Sequence, residues 1–303
     1  MLKVLKRIGI GLAGLLVLGI FLVSVISTIR WNHEYENLDI PVESIPIPTD
    51  EAAISYGEHI AITRYCGSCH GDDLAGGYLV NEPILAVIPA PNLTSGTGGV
   101  GRSNTDEDWI RAIRHGVGHD HRGLIGMPAR IWYQLSDEDL GALIAYLKTI
   151  PPVDHELPQR KIGPAFRLLL TLGQAPVSEA SLIDHTAPRP SVPEPGDTLA
   201  YGEYLALGCT ACHGQNMNGG TTRDFDGELV TALNLTPGGE LQGWSESDFI
   251  AAMRTGVTPG GHKLSEAMPW RYVGQMTDEE LQAIWLYLQS LPALEQGTER
   301  TDL

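Results

Sequence analysis

Positive charge, cysteine and strand-like alternation are what this sequence has least of. Of 303 residues, 20 are Lys or Arg against 37 Asp or Glu, a formal net charge of −17. Four of the bases (Lys3, Lys6, Arg7 and Arg30) fall in the first thirty residues, where no acid precedes Glu34. The remaining chain therefore sets 16 bases against 37 acids. That balance excludes a nucleic-acid binder, because neutralising phosphates needs a basic face. The four cysteines stand in two close pairs, too few to staple a chain of this length with disulfides. No apolar/polar alternation is sustained, so the expected fold class is all-α. A hydrophobic share of 43% with 19% charged residues is ordinary for globular chains and excludes a disordered one. The length leaves room for about two domains of ~100–150 residues.

One long apolar run is present. Ile8 to Ile29 is 22 residues without a charge. At ~1.5 Å per residue it reaches about 33 Å, enough to cross a hydrocarbon layer of ~30 Å. Lys3, Lys6 and Arg7 precede it, which puts the N-terminus on the cytoplasmic side. The run exceeds the ~7–15 residues of a signal-peptide core, and no small-x-small cleavage site follows. The expectation is a cytoplasmic tip and single-pass transmembrane anchor over 1–30, then an extended spacer over 31–49. With or without cleavage, everything from Trp31 onward is exported.

The body is written twice. Tyr56-Gly57-Glu58 returns as Tyr201-Gly202-Glu203, Asn92-Leu93-Thr94 as Asn234-Leu235-Thr236, and Met127-Pro128 as Met268-Pro269. Residues 108–117 return as 248–257 and 136–147 as 277–288, all at offsets of 140 to 145. A tandem duplication explains this order. Each copy reads as three helices joined by long loops. Thr105-x-x-Asp108, Ser136-x-x-Asp139, Ser245-x-x-Asp248 and Thr277-x-x-Glu280 are capping signatures that open helices. The copies span 50–150 and 197–293. Between them, 151–196 holds nine of the twenty prolines and reads as a semi-rigid linker, with Phe166 to Leu172 apolar enough to pack as a short helix. Residues 294–303 form a tail.

All four cysteines fall in repeated Cys-x-x-Cys-His motifs: Cys66, Cys69 and His70, then Cys209, Cys212 and His213. This is the c-type haem attachment signature, in which two thiols bond to the porphyrin and the adjacent His ligates iron. A zinc ribbon spaces its pairs roughly 15–20 residues apart, whereas Cys69 and Cys209 stand 140 apart. A thioredoxin-type pair does not require the two histidines. On these motifs the sequence resembles tandem class I cytochromes c over 50–150 and 197–293. It is most similar to the membrane-anchored dihaem and trihaem c-type subunits that serve bacterial alcohol and sugar dehydrogenases. The resemblance implies two covalently attached haem c groups, with iron as the bound metal.

The repeat sorts the methionines. Met127 and Met268 occupy one position, each in a loop before Pro and about ten residues ahead of the last helix, matching the ligand loop of class I cytochromes c. They are the expected distal ligands, opposite His70 and His213. Met253, Met217 and Met276 align with Ile113, Leu74 and Leu135, and read as packing residues. Among the rival histidines, His115 aligns with Thr255 and His119 has no counterpart. His121 and His262 each precede the paired Met by six residues, which suits a propionate contact or, less readily, ligation. His33, His59, His155 and His185 are given no role. Trp132 and Trp270, after the Met loops, either border the haem or fill core. A backbone carbonyl should accept the ring N–H of His70 and of His213. Pro91 resembles the family's usual supplier, but Leu233 stands there in the second copy. Gly57 and Gly202 allow close crossing of the first and last helices against Tyr146 and Tyr287, as in the family.

The expected function is electron transfer between redox partners on the extracytoplasmic side of the cytoplasmic membrane, with no catalytic residues. Two further readings stand beside it. The chain is an electron-transfer subunit of a larger dehydrogenase or oxidase, although the related dehydrogenase subunits usually carry three haem motifs and a C-terminal anchor. Or it is a dihaem enzyme such as a peroxidase, which requires an open ligand position where both repeats offer Met. The haem domains hold 13 acids against 7 bases and 12 against 4, so the partner is expected to present a basic face.

Overall fold

The computed structural model describes residues 2–175, 178–223, 228–299 and 301. Helix α1 (Leu2–Tyr35) contains the apolar run. Its stretch Lys6–Tyr35 reaches a mean hydropathy of 2.6 over its most apolar 18 residues and is long and apolar enough to cross a membrane. The helix continues past residue 30, because Trp31 and Tyr35 are buried against the rest of the chain. The part after Tyr35 forms no helix or strand up to the Asp50 cap of the next helix.

The first repeat comprises α2 (Glu51–Thr63), α3 (Gly67–His70), α4 (Asp106–His115), α5 (Ala129–Trp132) and α6 (Asp137–Leu147). Thr105 and Asp108 form a reciprocal capping box on α4, and Ser136 caps α6 through Asp139 N. Helix α4 stops at Gly116, which takes the left-handed conformation at φ 66°. The linker supplies α7 (Pro164–Thr171), close to the short helix expected there. The second repeat matches the first, with α8 (Leu199–Leu205), α9 (Thr210–His213), α10 (Glu246–Thr255), α11 (Trp270–Val273) and α12 (Asp278–Ser290). In both copies the first and last helices cross backbone to backbone. A Cβ on Gly57 would collide with the Ala142 carbonyl, and one on Gly202 with that of Ala283; Tyr146 and Tyr287 close the crossings from the side.

The fold is mostly helical and not all-α. Strands β1 (Gly77–Glu82) and β2 (Ala86–Ala90) form an antiparallel hairpin, and β3 (Lys161–Ile162), from the linker, pairs with β2. The second copy has the hairpin β4 (Gly220–Arg223) and β5 (Leu229–Ala232). These strands run two to six residues, too short to leave a sustained period-two pattern.

Each repeat has its own core, and a third is assembled from distant parts. Trp31 and Tyr35 of α1, Ala86 and Ile88 of β2, and Phe166, Leu170 and Ala175 of the linker pack together. Trp31 stacks on Tyr35 with centroids 4.4 Å apart. The proline-rich linker therefore lies on the first repeat. Arg189 makes a two-pronged bond to Asp137 (2.7 and 3.1 Å), and Tyr133 donates to the Ala187 carbonyl at 2.8 Å.

Candidate functional site

Both Cys-x-x-Cys-His motifs sit on single helical turns at the end of the first long helix of their repeat. Cys66 begins the turn of α3 and Cys209 that of α9, so the i, i+3 spacing brings both thiols of a pair to one face. None of the four cysteines is in a disulfide. Burial pushes the Cys66 thiol up to about 12 and that of Cys209 up to about 11, and the Cys69 thiol also upward.

The two histidines are oriented identically. His70 Nδ1 donates to the Pro91 carbonyl at 2.8 Å, and His213 Nδ1 to the Leu233 carbonyl at 2.7 Å. The change from Pro to Leu has no effect on this bond, because the acceptor belongs to the backbone. Burial lowers the pKa of both imidazoles, so they are neutral, and the bonded Nδ1–H leaves Nε2 as the ligating nitrogen.

The carbonyls are held by residues that the sequence showed only as markers of the repeat. Asn92 and Asn234 are 1% and 2% exposed. Each uses Oδ1 to accept the N–H of the Thr two residues on, Thr94 and Thr236, at 2.9 Å. Each uses Nδ2 to hold the irregular segment that follows the last helix, through the Val153 carbonyl at 2.8 Å and the Leu294 carbonyl at 2.7 Å. This turn fixes the residue just before it, which carries the acceptor for the histidine. The signal available in the sequence was Asn-Leu-Thr recurring at the same place in both copies.

Met127 and Cys66 are half-buried and pack against the first core, and Met268 and Cys209 against the second. Met217, Met253 and Met276 are buried inside the second core. The rival histidines are placed elsewhere. His115 is buried and meets His185 of the linker at 2.8 Å between Nδ1 atoms, while His121 and His262 are exposed beside the isolated bridges Val117–Gly123 and Val257–Lys263. Trp132 and Trp270 are not equivalent. Trp132 is buried against Tyr65, centroids 5.9 Å apart. Trp270 stands over Gly256, as Ala129 stands over Gly116, and its buried Nε1 has no hydrogen-bond partner among the described residues.

The two motifs are far apart in sequence but adjacent in space. Tyr65 directly precedes Cys66, and its phenol donates to the Gly208 carbonyl at 2.9 Å, one residue before Cys209. Gly208 has no Cβ, which makes room for that ring. Arg64, 5% exposed, donates to the Leu205 carbonyl at 2.6 Å and lies over the Tyr204 ring. Tyr272 donates to Asp72 at 3.0 Å, and His59 pairs with Glu280 at 2.9 Å.

Residues 52–147 match the family model for cytochrome c oxidase, cbb3-type, subunit III, and residues 199–292 match that for cytochrome c. The fructose dehydrogenase cytochrome subunit of Gluconobacter japonicus is 29% identical over 84% of this chain and 55% of its own length. The alcohol dehydrogenase (quinone) cytochrome c subunit of Gluconacetobacter polyoxogenes is 28% identical over 80% of this chain and 57% of its own. The chain thus spans little more than half the length of these relatives. A diheme cytochrome c-type protein of Cereibacter sphaeroides is 28% identical over 80% of this chain and 86% of its own. The donor set fits haem c: paired thiols, a neutral imidazole with one nitrogen left for iron, and an unpartnered indole N–H. The chain carries two tandem cytochrome c domains with two covalently bound haem c groups.

Proposed function

We propose that this chain is a membrane-tethered electron carrier working with a dehydrogenase. Cys66 and Cys69 would hold one haem and Cys209 and Cys212 the other, with His70 and Met127, and His213 and Met268, as the residues that would ligate the two irons. The observation that carries the reading is the matched pair of Nδ1-to-carbonyl bonds on His70 and His213, which reserves Nε2 for iron in both repeats.

Haem c supplies a one-electron ferric/ferrous couple. The residues of this chain set its conditions. The Pro91 and Leu233 carbonyls raise the basicity of the ligating imidazoles and fix their ring planes. With the half-buried Met127 and Met268 as ligands, no iron position would stay open for peroxide, which favours a carrier over a dihaem peroxidase. Tyr65, Arg64 and Tyr204 lock the repeats with their attachment motifs adjacent, so an electron entering one repeat has a short path to the other.

The relatives' names favour a catalytic dehydrogenase subunit as electron donor. The apolar α1 supports an anchor with residues 1–7 cytoplasmic and the haem domains outside, where haem is attached. The acidic repeats support a basic docking face on the partner.

Two measurements test the reading. Carbon monoxide added to the reduced holoprotein should bind to less than one site in ten; fast stoichiometric binding would favour the enzyme. Electron exchange with a basic small cytochrome should slow as the Debye length falls from ~30 Å at 0.01 M salt to ~10 Å at 0.1 M. A flat or rising rate removes the basic docking face.

A further inference from the structure

Helix α7 has two apolar sides, and among the described residues only one is covered. Phe166 and Leu170 face the third core at 7% and 0% exposure, whereas Leu168, Leu169 and Leu172 are exposed at 39%, 36% and 62%. The end of this helix is fixed against the end of the apolar run. Thr171 Oγ1 donates to Ser27 Oγ at 2.9 Å, and Arg30 donates to the Thr171 carbonyl at 3.2 Å. Ser27 lies two residues inside Ile29, the last residue of the uncharged stretch. The C-terminal turn of α7 is therefore level with the last turn of the uncharged stretch of α1.

We propose that Leu168, Leu169 and Leu172 enter the outer leaflet, so that α7 is a second, interfacial membrane contact that sets how the haem domains sit on the bilayer. The proposal rests on the reading of α1 as a membrane span. Continuity with that span selects lipid as the occupant over a protein partner. Charge supports the choice: Arg30 and Arg167 flank the patch, with Arg167 over the Trp31 ring at 5.3 Å, in a chain of net charge −17. Such basic groups suit anionic headgroups at the depth where apolar side chains enter. Trp31 and Tyr35, the aromatic residues at this end of α1, are buried in the third core and do not anchor in the headgroups. The leucines take that part.

In the holoprotein the native thiols are bonded to haem, so an introduced cysteine can be labelled alone. L168C, L172C, I20C and Q242C variants of the full chain would carry an environment-sensitive fluorophore in phosphatidylethanolamine/phosphatidylglycerol vesicles. The ratio of emission with and without brominated lipid cancels quenching by haem. The L168C and L172C labels should lose at least half their emission to lipids brominated near the headgroup, and the I20C label to lipids brominated deep in the chain. The Q242C label, on the second repeat, should be unaffected. L168C and L172C labels that behave like Q242C while I20C is quenched overturn the interfacial contact and leave the span intact. An unquenched I20C label overturns the span and the contact with it. Shielding of L172C only on adding a purified dehydrogenase subunit overturns lipid as the occupant.

Discussion

Tyr204 of the second repeat donates its phenolic O–H to Oδ2 of Asp139 in the first at 2.7 Å, and the same oxygen of Tyr204 accepts the Ser136 N–H at 3.1 Å. Both side chains are buried, at 5% and 3% exposure. Burial raises the pKa of Asp139, opposed by bonds from Tyr204 and Tyr56 and by the charge of Arg64. The phenol thus joins the last helix of one repeat to the first helix of the other.

Y204F should destabilise the joined repeats by about 1–3 kcal/mol, since it leaves a buried amide without its acceptor and a buried carboxylate short of a donor. Y56F removes only the 3.1 Å bond to Oδ1 of Asp139 and should have the smaller effect. Denaturant unfolding followed by the haem Soret band measures both. Equal losses would show that Tyr204 has no special part in the joint.

The His59–Glu280 contact predicts a pH dependence. Burial pushes the Glu280 carboxyl upward, but bonds from His59 and Thr277 outweigh it and hold the pKa below its ordinary value of 4.5. A carboxylate depressed in the fold contributes stability above its unfolded pKa, and that contribution is lost as pH falls through the folded value. The wild type should therefore lose stability below about pH 4.5 more steeply than E280Q. Parallel acid titrations of the two unfolding midpoints test this. Superimposable slopes would remove Glu280 from the acid response.

Replacing Met127 or Met268 by Ala should open one iron, allow carbon monoxide or cyanide to bind, and lower that haem's potential. M253L and M276L should leave ligand binding unchanged and alter stability by less than about 1.5 kcal/mol, because both are buried packing residues. Ligand titrations on all four variants separate the classes. A closed iron in M127A would send the search for that ligand elsewhere.

Asn92→Ala and Asn234→Ala should each release the loop that positions one histidine's acceptor. A weaker Nδ1 bond makes the imidazole less basic, so the potential of that haem should rise while the other is unmoved. Potentiometric titration reads both couples. A shift of neither potential would reduce these asparagines to loop stabilisers.

Sequence alone determined what depends on local spacing. Cys-x-x-Cys-His puts its donors on one helical turn wherever it occurs, the capping residues start helices without outside help, and a duplicated string must fold twice. The hairpins were hidden because strands of two to six residues leave too little alternation to see, and β3 exists only because the linker lies against β2. The roles of Asn92 and Asn234 stayed hidden for a related reason: each holds chain about sixty residues further on, at Val153 and Leu294. Only the tertiary structure decided that the two attachment motifs, 143 positions apart, share the phenol of Tyr65. It alone decided that a proline-rich linker brings Thr171 onto Ser27. These depend on which surfaces bury one another once the chain is folded, and no periodicity encodes that.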